Sequence, residues 1–180
     1  MAPQGLFFAS RSIYWPTEFA DLVNMLKGLD PTGAPSHFPM YRYNTGAVVL
    51  AAVLGLIHKR ERDVGPQRQE ISTDTFESQK LGNLSLASFV LLIALLGTQD
   101  VELLRPEREE ELIRRFERYA AGGFEYLRGA MSISSDSTGQ SVMKTEIARA
   151  MIAFDVGAIE SHSRATATMP LGRRLKGVAP

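Results

Sequence analysis

Two runs of apolar residues constrain this chain more than any other feature. Residues 45–62 read TGAVVLAAVLGLIHKRER, and from Ala47 to Ile57 the apolar side chains continue nearly all round a helix instead of forming one stripe. Such a helix has to be buried on most of its sides. The second run, residues 84–96, is interrupted only by Ser85 and Ser88. It falls short of the roughly 20 residues that cross a bilayer, so it too predicts a buried helix. A chain of 180 residues fits one domain whose core can bury roughly two thirds of its surface. Two helices needing cover on several sides place a heavy demand on so small a fold, and a symmetric homo-oligomer is one way to meet it.

The remaining segments supply further helices. Residues 16–29 open with Pro16 and carry Phe19, Leu22, Val23, Leu26 and Leu29 at helical spacing. The proline-rich stretch 30–39 is a loop, after which Asn44 or Thr45 is placed to cap the first apolar helix. Residues 63–78 are polar, with Ile71 and Phe76 as anchors and Ser72 or Thr73 as the cap of a short turn. Asn83 or Ser85 starts the second apolar helix, and a brief turn follows at 100–104. Pro106 and the acidic run Glu107, Glu109, Glu110 and Glu111 suit a helix start. Leu112, Ile113, Phe116 and Tyr119 form that helix's apolar stripe, and Arg114, Arg115 and Arg118 can pair with Glu110, Glu111 and Glu117 at helical spacing. Gly122-Gly123 reads as its stop, with a left-handed residue, and Phe124, Tyr126 and Leu127 as the start of another short helix.

A polar, flexible linker is expected over residues 132–141, then a last helix over 142–156, and a loose basic tail over 157–180 carrying Arg164, Arg173, Arg174 and Lys176 against Glu160. No sustained alternating pattern occurs. The fold class predicted is all-α: a compact bundle of about five to six helices, with residues 1–156 as a single helical domain.

Catalytic signatures are missing. Twenty basic side chains balance twenty acidic ones, which argues against coating nucleic acid by bulk charge while leaving room for a local patch. The chain has no cysteine, hence no disulfide, thiolate nucleophile or cysteine-ligated metal, and its composition fits a reducing compartment. His37, His58 and His162 lie far apart and lack the i, i+4 spacing of a helical zinc motif. Asp63, Glu70 and Glu77 with Lys80 are the nearest approach to a nuclease set, but no strand pattern carries them. Ser134, Ser135 and Ser137 belong to the linker, not to a strained nucleophile turn. The expectation is a non-enzymatic, cytoplasmic protein without cofactor, bound metal or membrane segment.

What remains is binding. Lys59, Arg60 and Arg62 at a helix C-terminus, joined by Arg68 and by Arg173 and Arg174 of the tail, could contact phosphates or an acidic partner; cations at that end of a helix also have a plain structural use. Phe7, Phe8, Tyr14, Trp15, Tyr41, Tyr43, Phe124 and Tyr126 are candidate interface anchors or core residues.

Four segments in order carry a family resemblance: VVLAAVLGLIHKRER (48–62), EISTDTFES (70–78), LIALLGTQDVELL (92–104) and RRFERYAAGGFEYL (114–127). Together, within residues 43–127, they resemble a small family found beside bacterial DNA phosphorothioation genes, the Dnd system-associated proteins, fourth of that series. The resemblance implies a part in anti-phage defence linked to DNA modification or restriction. It implies an accessory or adaptor subunit working by protein–protein contact, with the system's ATPase, nuclease or modification proteins as partners. It transfers no catalytic residue. The alternative is a DNA-binding helical module using the basic cluster at 58–62 and the tail.

Overall fold

The computed structural model describes residue 7 and residues 10–30, 32–35, 39–135 and 139–149. The chain divides into two units, Met1–Gly139 and Gln140–Pro180. In the second, residues 140–149 are helical, with Arg149 paired to Glu146 one turn back at 2.8 Å.

The first unit is mostly helical, as the apolar periodicity requires, and carries two small antiparallel sheets. Strand β1 (Ser12–Pro16) pairs with β2 (Arg68–Ser72), with Tyr14 opposite Glu70 and Pro16 opposite Arg68. A short helical turn leads from β1 into α1 (Ala20–Leu26). Helix α2 is Asn44–Ile57 and α3 is Thr73–Ser78. The hairpin β3 (Lys80–Leu81) and β4 (Leu84–Ser85) turns directly into α4 (Leu86–Thr98). Two short turns, Val101–Leu104 and Pro106–Arg108, precede α5 (Glu109–Ile133), which at 25 residues is the spine of the unit.

Local chemistry accounts for some of the boundaries. The Ser72 hydroxyl accepts the Asp74 N–H at 3.2 Å at the start of α3, and the Asp100 carboxylate caps the turn before α5 through the Glu102 N–H at 3.0 Å. Pro106 sits at the first position of the last short turn. Asn44 and Thr45 do not cap α2, however. Both lie inside the helix, the N-cap is Tyr43 without a side-chain bond, and the buried Thr45 hydroxyl donates to Gln79 Oε1 instead. Helix α2 ends with Lys59 in the left-handed region (φ 52°) and the Arg60 N–H returning to the Gly55 carbonyl at 2.8 Å, a helix stop made without glycine.

The glycine pair does the opposite of what the sequence suggests. Helix α5 runs straight through Gly122 and Gly123 to Ile133, and Phe124, Tyr126 and Leu127 continue it instead of starting a new helix. These glycines let α5 lie backbone-to-backbone on α2. A Cβ at Gly123 would come 1.7 Å from the Ala51 carbonyl oxygen, and one at Gly122 would come 2.3 Å from that of Arg60. Ala47, Val48, Ala51 and Ala52 of α2 and Ala120, Ala121 and Phe124 of α5 complete a seam closed to solvent. Helix propensity argued for a stop; close packing outweighs its cost of about 1 kcal/mol per glycine.

Aromatic rings fill the ends of the core. Phe124 lies 5.4 Å from Phe19 in a stacked pair and 5.9 Å from Trp15, while Phe76 meets Phe116 edge-on at 6.1 Å. The expected linker over 132–141 is curtailed at both ends, since α5 extends to Ile133 and helix resumes at residue 140. Residues 150–180, which include the end of the last helix expected over 142–156 and all of the basic tail, lie outside the described residues.

Candidate functional site: an uncovered apolar face and an arginine-lined cleft

Helix α2 is sealed on the α5 side and only partly covered on the other. Leu50, Val53 and Ile57 follow one another at i, i+3, i+7 and remain partly exposed, with Ile57 at 50%. Phe89, Leu92 and Leu96 repeat that spacing on α4, with Leu92 and Leu96 about half exposed. The hairpin adds Leu81 and Leu84, and the segment before α2 adds Tyr43. A groove of about 840 Å³ lies here, lined mainly by apolar side chains of α2, α4 and the hairpin, with Tyr41 and Tyr43 at its rim. Tyr41 lies across Gly46, where a Cβ would come 2.4 Å from the ring, and burial pushes its hydroxyl pKa up. Scattered exposed leucines are ordinary on a protein surface; exposed apolar side chains on three elements that also form an apolar groove are not.

Among the expected aromatic anchors, Tyr41 and Tyr43 therefore stand at this groove. Trp15 and Phe124 are core, Phe7 is buried, and Tyr126 stacks on His58 at 3.8 Å. Phe8 lies outside the described residues.

The basic cluster at 58–62 is divided by its backbone. The segment is clamped on α5, with the Arg62 N–H donating to the Arg118 carbonyl at 3.1 Å. The Arg62 side chain is folded back, 2.6 Å from Glu18 and over the Phe19 ring at 5.6 Å. Lys59 and Arg60 point to solvent, and among the described residues neither makes an ion pair. Arg115 and Arg118 do not pair within their own helix as expected. Arg115 reaches Glu61 at 3.0 Å and Arg118 reaches Asp63 at 3.3 Å, stitching the end of α2 to α5. Glu111 pairs with Arg108 at 2.9 Å, and only Arg114 takes its expected partner, Glu110. Arg173 and Arg174 lie outside the described residues.

Arg68 is elsewhere, on β2, its guanidinium 4.0 Å above the Tyr14 ring. It lines a cleft of about 420 Å³ together with Arg11, Tyr14, Glu110, Arg114 and Glu117. Glu117 is 8% exposed and accepts the Tyr14 N–H at 2.7 Å. Burial pushes its carboxyl up to about 7, against the opposing pull of that hydrogen bond and of the Arg68 and Arg114 charges. Sequence reasoning assigned Glu117 to surface pairing and missed this cleft. The signal was faint: β1 alternates buried Ile13 and Trp15 with the less buried Ser12 and Tyr14, a period-2 pattern only five residues long.

Asp63, Glu70 and Glu77 do not converge: Asp63 faces Arg118, Glu70 is on β2, and Glu77 on α3 accepts the Phe7 N–H at 3.0 Å. Among the described residues, no three His, Asp or Glu side chains are grouped to hold a metal ion, and no helix is long and apolar enough to cross a membrane.

A family model described as DNA sulphur modification system-associated protein 4 matches residues 12–151, most of the chain. No curated protein and no solved structure matches.

Proposed function

Because the chain belongs to the DNA sulphur modification system-associated protein 4 family, we propose that it is a non-enzymatic accessory subunit of such a system, acting by protein–protein contact in defence against phage. The observation that carries this reading is the apolar face of α2, α4 and the β3–β4 hairpin: Tyr43, Leu50, Val53, Leu81 and Phe89 line a groove of about 840 Å³, and Leu92 and Leu96 stand half exposed further along α4. A face of this kind lowers its free energy by being covered. The partners that fit are the larger ATPase, nuclease or modification proteins of the same system, and the setting is the bacterial cytoplasm. The test is co-purification with those proteins, using the wild type and a Leu92→Glu, Leu96→Glu variant checked for native helicity. Retention of a system protein by the wild type and its loss in the variant is the expected result. Equal retention by both, or retention by neither, contradicts the reading.

The alternative, DNA binding through the 58–62 cluster and the tail, draws support from Lys59 and Arg60, which are exposed and outside any ion pair among the described residues. A Lys59→Glu, Arg60→Glu variant should then bind duplex more weakly and with a shallower salt dependence; unchanged binding dismisses it.

A further inference from the structure

The cleft between β1, β2 and α5 lies on different elements from the groove. Arg11, Arg68 and Arg114 all line one space of about 420 Å³, larger than a bare ion needs and ample for a phosphate with its attached sugars. We propose that this cleft is a binding site for a phosphate-class oxyanion, whether a nucleic-acid phosphodiester or a free phosphate.

The donors differ in how firmly they are already engaged. Among the described residues Arg68 makes no ion pair, and its stacking on Tyr14 leaves the guanidinium edge free to donate. Arg114 is paired with Glu110, but both side chains are mostly exposed, at 69% and 59%. Such a pair is worth almost nothing in water and can be exchanged for a ligand oxygen. Arg11 commits its Nε to the buried Glu109 at 2.8 Å, which leaves its terminal nitrogens as donors and holds the group in place. Glu117 is the gate. It lines the cleft with Arg11 and Tyr14 on the β1 side, Arg68 on β2, and Glu110 and Arg114 on its own helix. One oxygen is occupied by the Tyr14 N–H; the other, when protonated, donates to an oxyanion, and when ionised repels it. Binding therefore takes up a proton.

Sulfate is the suitable first probe, because its charge does not change between pH 6 and pH 8 whereas that of inorganic phosphate does. At constant ionic strength, the full chain should bind sulfate about tenfold more weakly at pH 8 than at pH 6, the range over which Glu117 loses its proton. Glu117→Gln keeps a neutral donor and should bind equally at both. An Arg68→Ala, Arg114→Ala variant, confirmed as folded by circular dichroism, should lose at least about tenfold in affinity. A short DNA duplex, displaced by sulfate and weakened by the same double variant, identifies the phosphodiester as the source. Sulfate binding without duplex binding identifies a free small oxyanion. Absence of sulfate binding at pH 6, or affinity indifferent to the two arginines, overturns the site.

Discussion

Helix α2 has two apolar sides with opposite fates. On one, Ala51 and Gly55 meet Gly123 so closely that a single added methyl cannot be placed. On the other, Leu50 and Val53 line an open groove and Ile57 stands half exposed. Composition does not distinguish these sides, since both are apolar; residue size does. Small residues permit backbone contact and close the seam, whereas larger branched ones keep neighbours apart and remain available to a second molecule. An all-round apolar helix in a small protein thus marks both where the core is and where it stops being sufficient.

The largest effect expected from breaking this contrast lies in the seam. Gly123→Ala drives a Cβ against a backbone carbonyl that has no rotamer to yield, and overpacking should outweigh the helix-propensity gain by about 3 kcal/mol. Thermal unfolding should shift down by roughly 10 °C. A shift under 2 °C, on the order of 0.5–1 kcal/mol, means that the two helices can separate cheaply.

Next comes Glu117→Gln, measured by denaturant titration across pH. The folded carboxyl sits at about 7 against an ordinary 4.5. Its neutral form is therefore favoured by folding, with the full benefit present below pH 4.5 and lost as pH rises through 7. Gln retains the acceptor for the Tyr14 N–H and never ionises. The variant should gain about 1–2 kcal/mol over wild type at pH 8, after allowance for solvent screening, and nothing near pH 4. A pH-independent difference removes the buried carboxyl from the account.

A smaller effect separates glycines that share a helix. Gly129 also lies in α5, but a Cβ there meets nothing within 4 Å. Gly129→Ala should stabilise by about 0.5–1 kcal/mol, opposite in sign to Gly123→Ala. Least affected should be the bare face. Leu92→Ser with Leu96→Ser should leave stability within about 0.5 kcal/mol, because both side chains are already half in water. A loss of several times that amount indicates that the face is core.

Much of this architecture was legible in the sequence. The two apolar helices, the Ser72 cap, the Pro106 start and the acidic first turn of α5 all follow from local chemistry, which acts over a few residues. What was not legible depends on partners distant in the chain. Gly122-Gly123 looks like a helix stop until the Ala51 and Arg60 carbonyls are known to press on it. β1 is too short to announce itself, and its partner β2 lies more than fifty residues away. Glu117 reads as one more surface acid at i, i+3 from Arg114, and only the docking of β1 on α5 buries it. The basic run at 58–62 was visible as a cluster, but the left-handed Lys59 and the Glu18 partner of Arg62 split it in space.

The most direct test of the central claim is hydroxyl-radical footprinting of side chains, with the protein alone and in complex with the other proteins of its sulphur modification system. Leu81, Leu84, Leu92 and Leu96 should become protected in the complex, while the residues of the α2–α5 seam, already closed, should not change. Labelling of those four leucines that is the same in both states contradicts the assignment of this face to a partner.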